Sequence, residues 1–152
     1  FENYEMIADE NEKIFIYENH IRQVIKTDRT LLKQLMTILF DNAVKYTEED
    51  GEIQFVVWIK DRYLYLRVLD NGPGISMEDK KKIFDRFYRV DKARTRQKGG
   101  FGLGLSLAKQ IADALKGTIT VKDNKPKGTI FEVKIAVKVD SKKKASRLME
   151  NS

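Results

Sequence analysis

The sequence predicts an α+β fold, a two-layer sandwich in which a mixed, mostly antiparallel sheet packs against about three helices. Helical periodicity over 31–46 is followed by two runs of strand alternation, 53–60 and 62–70, joined by a short Asp-Arg turn. A second helix, introduced by a glycine run near residue 100, precedes another strand pair, TITVKD and GTIFEVKIAVKV. Helices thus alternate with an antiparallel-rich set of strands without a regular strand-helix-strand repeat, which argues for the α+β two-layer sandwich.

Residues 1–12 carry a weak helical pattern, and IFIY (14–17) and QVIKT (23–27) read as short strands. Asp28 is an N-cap candidate for the long helix that runs through Tyr46. The stretch Asp-Asn-Gly-Pro-Gly (70–74) can continue neither helix nor strand. A helix is predicted from Met77 to Phe84, then a basic irregular segment to Phe101, then the glycine-led helix ending at Gly117. One domain is expected over 1–139. The basic run SKKKASR (141–147) has no periodicity, so 140–152 reads as a solvated, disordered tail.

The chain has 152 residues, of which 41% are hydrophobic, enough to bury one ordinary core. With no cysteine and a single histidine, disulfide frameworks, thiolate metal sites and imidazole clusters are excluded. No stretch approaches the roughly 18 apolar residues of a membrane span, and the acidic N-terminus is unlike a signal peptide, so a soluble domain suited to a reducing compartment is expected. Lys plus Arg exceed Asp plus Glu by 29 to 23, with much of the excess in 85–98 and 141–147.

Three breaks in the core pattern point to chemistry. Asn42 falls within the apolar arc of Leu31, Leu32, Leu35, Ile38, Leu39 and Ala43, with Lys45 at its edge and Tyr46 one turn on. A buried amide without partners costs about 1–3 kcal/mol, so it is either a core asparagine bonded to a loop or a group awaiting a ligand. Alternation in YLYLRVLD puts Asp70 on the face of Leu64, Leu66 and Val68, either as a turn cap or as an acceptor for a ligand donor such as a purine amine. Gly99, Gly100, Gly102 and Gly104 open a helix, where free N–H groups and the positive dipole end suit phosphate. Arg89, Arg94, Arg96 and Lys98 would add charge there, although a basic loop that binds nucleic acid is the competing reading. The run is neither a Walker loop nor a dinucleotide fingerprint, because no Gly-Lys-Ser/Thr follows and no strand precedes it.

Taken in order, DNAVKYT (41–47), DNGPGI (70–75), IFDRFYRVD (83–91) and GFGLGL (100–105) resemble the asparagine, first glycine, phenylalanine and second glycine boxes of the catalytic and ATP-binding domain of bacterial sensor histidine kinases. That family lies within the gyrase, heat-shock chaperone and mismatch-repair superfamily of Bergerat-type ATP-binding folds, and the resemblance covers roughly Asp28 to Val137. It implies that Asn42 coordinates Mg2+ held mainly by the ATP phosphates, that Lys45 touches a phosphate, and that Tyr46 lies against adenine. It further implies that Asp70 accepts from the adenine amino group, that Gly72, Gly74 and Ile75 shape the base pocket, and that Thr129 reaches Asp70 or the base through water. Arg89 would meet the γ-phosphate, Lys98 the outer phosphates, and Gly100, Phe101, Gly102, Leu103, Gly104 and Leu105 would line the phosphates. The segment from about Met77 to Phe101 would be the lid over the nucleotide.

Two positions depart from the family pattern. Ile38 stands one turn before the magnesium ligand, where an asparagine or, in hydrolytic relatives, a glutamate is usual. Phe101 replaces a common Thr or Ser. His20, in ENHIRQV, lacks the setting of a phosphoacceptor. The resemblance therefore implies a protein-histidine kinase domain whose acceptor histidine lies on a separate dimerisation domain, with a response regulator as the further partner and no nucleic acid. It implies a cytoplasmic domain of a membrane-anchored, homodimeric sensor. The rival readings are a gyrase-like ATPase clamp, against which Ile38 speaks, and a basic nucleic-acid binder, which would leave Asn42 and Asp70 without a purpose.

Overall fold

The computed structural model describes residues 2–88 and 104–144. Helix α1 (Glu2–Glu10) leads to strands β1 (Ile14–Asn19) and β2 (Gln23–Lys26), then to helix α2 (Arg29–Tyr46). Strands β3 (Glu52–Lys60) and β4 (Tyr63–Asp70) follow, then the single-turn helix α3 (Met77–Lys80). Helix α4 (Gly104–Ala114) precedes β5 (Thr118–Asp123), β6 (Thr129–Ala136) and β7 (Lys138–Lys144). The main sheet has the order β1-β3-β4-β6-β5, parallel between β1 and β3 and antiparallel elsewhere, while β2 and β7 form a second, two-stranded sheet. This is the mixed, mostly antiparallel sandwich that the sequence predicts.

Strand alternation sends Ile53, Phe55 and Val57, Leu64, Leu66 and Val68, and Phe131, Val133 and Ile135 to one face of the sheet, where all are buried. Against them lie Leu35, Leu39, Phe40 and Ala43 of α2 and Ala108, Ile111 and Ala112 of α4. Asp28 caps α2 as expected, its side chain accepting from the Leu31 N–H at 3.0 Å. The β3–β4 turn is tight because Asp61 and Arg62 both adopt positive φ, at 53° and 68°.

The buried stripe of α2 is rotated relative to the predicted arc. Phe40 is 0% exposed, because α1 and β1 cover its side of the helix: the Tyr4 ring stacks on Phe40 at 4.4 Å and Phe15 lies 5.5 Å from it. Leu31, Ile38 and Asn42 are consequently at the half-buried flank. Asn42 stands at the rim of the core, not in its middle.

Helix α4 ends in a Schellman motif, in which Gly117 N–H donates to Ala112 O and Lys116 N–H to Asp113 O, with Lys116 at φ 57°. The residue taking the left-handed conformation is thus Lys116. Gly117 is needed for a different reason, since a Cβ there would sit 2.0 Å from the Lys134 carbonyl oxygen.

The structure departs from expectation in two further places. The helix predicted over Met77–Phe84 stops at Lys80, and residues beyond it form turns held by Lys82 N–H to Asp79 O and Asp85 N–H to Lys82 O. Three consecutive lysines (80–82) oppose a longer helix, and burial of Ile83 with Phe84 packed edge-on to Phe131 turns the chain inward. At the C-terminus, β7 continues through Lys144, into the segment read as a disordered tail. Pairing with β2, including Lys26 opposite Lys138 and Gln23 opposite Lys144, supplies hydrogen bonds that periodicity could not signal.

Candidate functional site

Helix α2 is the spine of the site. At its middle, Ile38 Cγ2 lies 3.7 Å from where a Cβ on Gly104 would be, so α4 begins against this flank. At its end, the Tyr46 carbonyl oxygen lies 2.7 Å from where a Cβ on Gly72 would be, which brings the Asp-Asn-Gly-Pro-Gly loop onto the last turn. Asn42 and Lys45 stand between these two approaches, both half-buried. Among the described residues no hydrogen bond to the Asn42 side chain is formed, so its amide is available at the rim.

Asp70, at the C-terminal end of β4, is 6% exposed and sits opposite buried Ile53. Its Oδ1 accepts from Gly72 N–H at 3.0 Å and Thr129 N–H at 3.2 Å. Among the described residues nothing donates to Oδ2, which leaves that oxygen as an acceptor for something else. Burial pushes the Asp70 carboxyl above its ordinary value, and the two backbone donors offset this only in part. Thr129, expected near Asp70 from the resemblance, is adjacent to it: its backbone N–H is one of the two donors to Oδ1. Asn71, between the carboxylate and the glycines, serves structure: its Oδ1 accepts from Glu52 N–H at 2.8 Å and ties the loop to β3. Gly74 has φ 83°, a conformation that L side chains rarely adopt.

This carboxylate has a testable cost. A group whose folded pKa is raised binds its proton more tightly in the folded chain, so its contribution is favourable below the ordinary value of 3.8 and is lost as pH rises through the raised value. Asp70→Asn keeps an Oδ1 acceptor for both backbone donors and removes the buried charge. The ligand-free variant should therefore melt at a higher temperature than the parent at pH 7, with the gap closing as pH falls toward 4. A lower melting temperature at pH 7 would contradict the assignment of Asp70 as a functional group held at a cost in stability.

On the far side of the loop, Ser76 caps α3, accepting from Asp79 N–H at 3.1 Å and donating to Asp79 Oδ2 at 2.9 Å. The Tyr88 hydroxyl donates to Asp79 Oδ1, which lowers the Asp79 carboxyl and pushes the Tyr88 phenol up to about 12. The chain leading to Arg89 is thereby tied back to α3. Of the sequence-predicted residues, Asn42, Lys45, Tyr46, Asp70, Gly72, Gly74, Ile75, Gly104, Leu105 and Thr129 fall on α2, on the end of β4 and the loop after it, and on the first residues of α4 and β6. Arg89, Lys98, Gly100, Phe101, Gly102 and Leu103 lie outside the described residues, as does most of the expected lid.

Sequence reasoning missed Gly128 and Asn124. A Cβ on Gly128, which has φ 111°, would lie 1.9 Å from the Asp70 carbonyl oxygen. Asn124 Nδ2 donates to that same oxygen at 2.8 Å. The turn signal KPKG preceding a strand was visible in the sequence, but nothing in it says which backbone the turn meets.

The glycine loop after β4 thus meets both the last turn of α2, whose rim carries the Asn42 amide, and a buried carboxylate with one open oxygen, on an α+β sandwich. Residues 27–139 match the model of the "Histidine kinase-, DNA gyrase B-, and HSP90-like ATPase" family, and the chain belongs to that family. It is similar to the sensor protein CiaH of Streptococcus pneumoniae, 78% identical over 144 residues that cover 95% of this chain and 32% of CiaH. It is also similar to the signal transduction histidine-protein kinase ArlS of Staphylococcus aureus, 42% identical over 109 residues, 72% of this chain and 24% of ArlS. Among solved structures, a mycobacterial sensor histidine kinase, MprB, superposes with a TM-score of 0.76 at 26% identity, covering 91% of each chain. The chain therefore spans about a third or less of the curated relatives it matches, and within them it corresponds to the ATP-binding catalytic domain of sensor histidine kinases.

Proposed function

We propose that this domain binds Mg-ATP and donates the γ-phosphoryl group to a histidine on a separate dimerisation domain, for relay to a response regulator. The full-length protein would then be a membrane-anchored, homodimeric sensor with this domain on its cytoplasmic side. Among the described residues no helix is long and apolar enough to cross a membrane.

The observation that carries the reading is Asp70. Its Oδ1 is used by two backbone donors and its Oδ2 is open, so it offers one acceptor to a base. Adenine presents an amino donor at the position where guanine presents a carbonyl oxygen, and two facing acceptors repel. Tyr46 and Ile75 flank this carboxylate in chain order and would bound the base. Asn42 fits an oxygen ligand for magnesium: its amide lacks a protein partner among the described residues. Those residues contain no cluster of three His, Cys, Asp or Glu that could hold a metal alone, so the ion would depend mostly on phosphate oxygens and water, as Mg2+ often does. When bound, Mg2+ would neutralise charge on the transferring phosphoryl group. Lys45 adds positive charge on the same rim; burial raises the carboxyl of Asp41, one turn before it, and Lys45 offsets that only in part. Arg89 and Lys98 would meet the outer phosphates from the lid.

Calorimetry with ATP, GTP and single-stranded DNA at two salt concentrations tests this. ATP with magnesium should bind at least about tenfold more tightly than GTP, the scale of one charge-assisted hydrogen bond gained or opposed. Equal affinities for the two nucleotides would remove the role given to Asp70. Salt-sensitive DNA binding without nucleotide binding would favour the basic-loop reading.

A further inference from the structure

The turn between β5 and β6, residues 124–128, is outside every motif that marks the nucleotide site, yet it holds the site's buried carboxylate from behind. Asn124 Nδ2 donates to the Asp70 carbonyl oxygen at 2.8 Å, across 54 residues of chain. The other end of the same amide, Oδ1, accepts from Lys125 N–H at 2.9 Å, and Asn124 N–H donates to Gly128 O at 3.0 Å. The side chain is therefore fixed at both ends, with its donor aimed by its own turn. Gly128 then lies flat against the Asp70 and Asn71 backbone, and Gly128 O is 3.4 Å from where a Cβ on Gly74 would be. Next in the chain, Asp123 meets Lys80 of α3 at 2.5 Å, so the turn is anchored to the far side of the glycine loop as well.

From this geometry we infer that Asn124 is a positioning residue for base selection: by pinning the Asp70 main chain it sets the direction of the open Oδ2. The inference rests on the reading of Asp70 as the adenine acceptor. The Asp70 side chain is already held through Oδ1 by Gly72 and Thr129 N–H, so rotation about its own bonds is restricted. The peptide that follows Asp70 is held on its N–H side by Asn71 N–H donating to Glu52 O at 3.3 Å, and Asn124 is the side chain that holds its carbonyl side. Hydrogen-bond strength falls steeply with angle, so a small tilt of the Asp70 peptide costs more against adenine than against a ligand that does not use Oδ2.

The discriminating variant is Asn124→Asp, which keeps an acceptor for Lys125 N–H and replaces the donor facing the Asp70 carbonyl by an oxygen. Asn124→Ala removes both bonds without adding charge. The readout is the ratio of ATP to GTP affinity, measured by calorimetry on the same preparation. Because both nucleotides see the same folded population, a partly unfolded variant leaves that ratio unaffected. The ratio should fall about threefold to tenfold in Asn124→Asp and somewhat less in Asn124→Ala, the worth of one internal hydrogen bond. Asp70→Asn, measured alongside, should lose most of the selectivity. If both Asn124 variants lower the melting temperature while the ratio stays at the parent value, and Asp70→Asn still loses selectivity, Asn124 is only a structural tie and the inference is overturned. If Asp70→Asn itself leaves the ratio unchanged, the reading of Asp70 fails first.

Discussion

Gly128→Ala should destabilise the domain by roughly 3–5 kcal/mol and weaken nucleotide binding in whatever fraction remains folded. Two costs add at this position. The φ of 111° is one that alanine adopts only under strain, and the new methyl would lie 1.9 Å from the Asp70 carbonyl oxygen and 2.8 Å from Asn71 Cα. Neither neighbour is a flexible side-chain tip that can swing away. Relief requires the β5–β6 turn and the loop after β4 to separate, which breaks the Asn124 contact to Asp70 and strains the Thr129 N–H bond to Oδ1. Domains of this size have about 5–15 kcal/mol of total stability, so the loss is a large share of it. Urea denaturation checks the stability term, with a midpoint shift at unchanged slope expected. A variant as stable as the parent, with unaltered ATP affinity, would show that the two loops do not pack as described.

Asn42→Ala should separate metal-dependent chemistry from base recognition. Asn42 and Asp70 lie on different elements, the rim of α2 and the end of β4, and the structure gives them no shared hydrogen bond. Removing the amide should reduce phosphoryl transfer to a partner histidine by about 100-fold or more, on the scale of losing a positioned electrostatic group. ADP binding measured with magnesium chelated should stay within about twofold of the parent. Asn42 is half-buried without a described hydrogen-bond partner, so its removal should shift the melting temperature little. Loss of both transfer and metal-free ADP binding would mean that Asn42 supports the fold or the base pocket. Ile38, one turn before it, packs toward Gly104 at the start of α4 and offers no polar group to an attacking water. Slow hydrolysis by the domain alone follows from the same geometry.

The parts of this site that the sequence revealed are those carried by local periodicity. Asp70 was legible because strand alternation fixes its face, and the ladder places it opposite Ile53 as alternation requires. The cap at Asp28 and the end of α2 at Tyr46 were equally local. Asn42 was found for a reason only partly right, because its helix is rotated by an aromatic contact between Phe40 and Tyr4, 36 residues earlier, and it lies at the core's rim. The supports of Asp70 left no local signal: Asn124, which reaches its carbonyl across 54 residues, went unseen, and Thr129, whose N–H reaches Oδ1 across 59, came only from the family resemblance. Such contacts leave no periodic trace. The strand at Lys138–Lys144 was hidden for the same reason, since its partner β2 lies more than 100 residues away.

In the proposed reaction, phosphate leaves ATP on this domain and arrives on a histidine of a separate dimerisation domain. His20, its single histidine, is exposed beside Glu18 at 3.2 Å, on the loop that follows edge strand β1. The direct measurement is incubation of γ-labelled ATP and magnesium with this domain alone, then with the dimerisation domain of the same kinase added in trans. This domain should stay unlabelled and the added partner should carry an acid-labile, base-stable phosphohistidine, absent with Asn42→Ala. Stoichiometric label on His20, or rapid release of labelled phosphate by the domain alone, would contradict the proposed reaction.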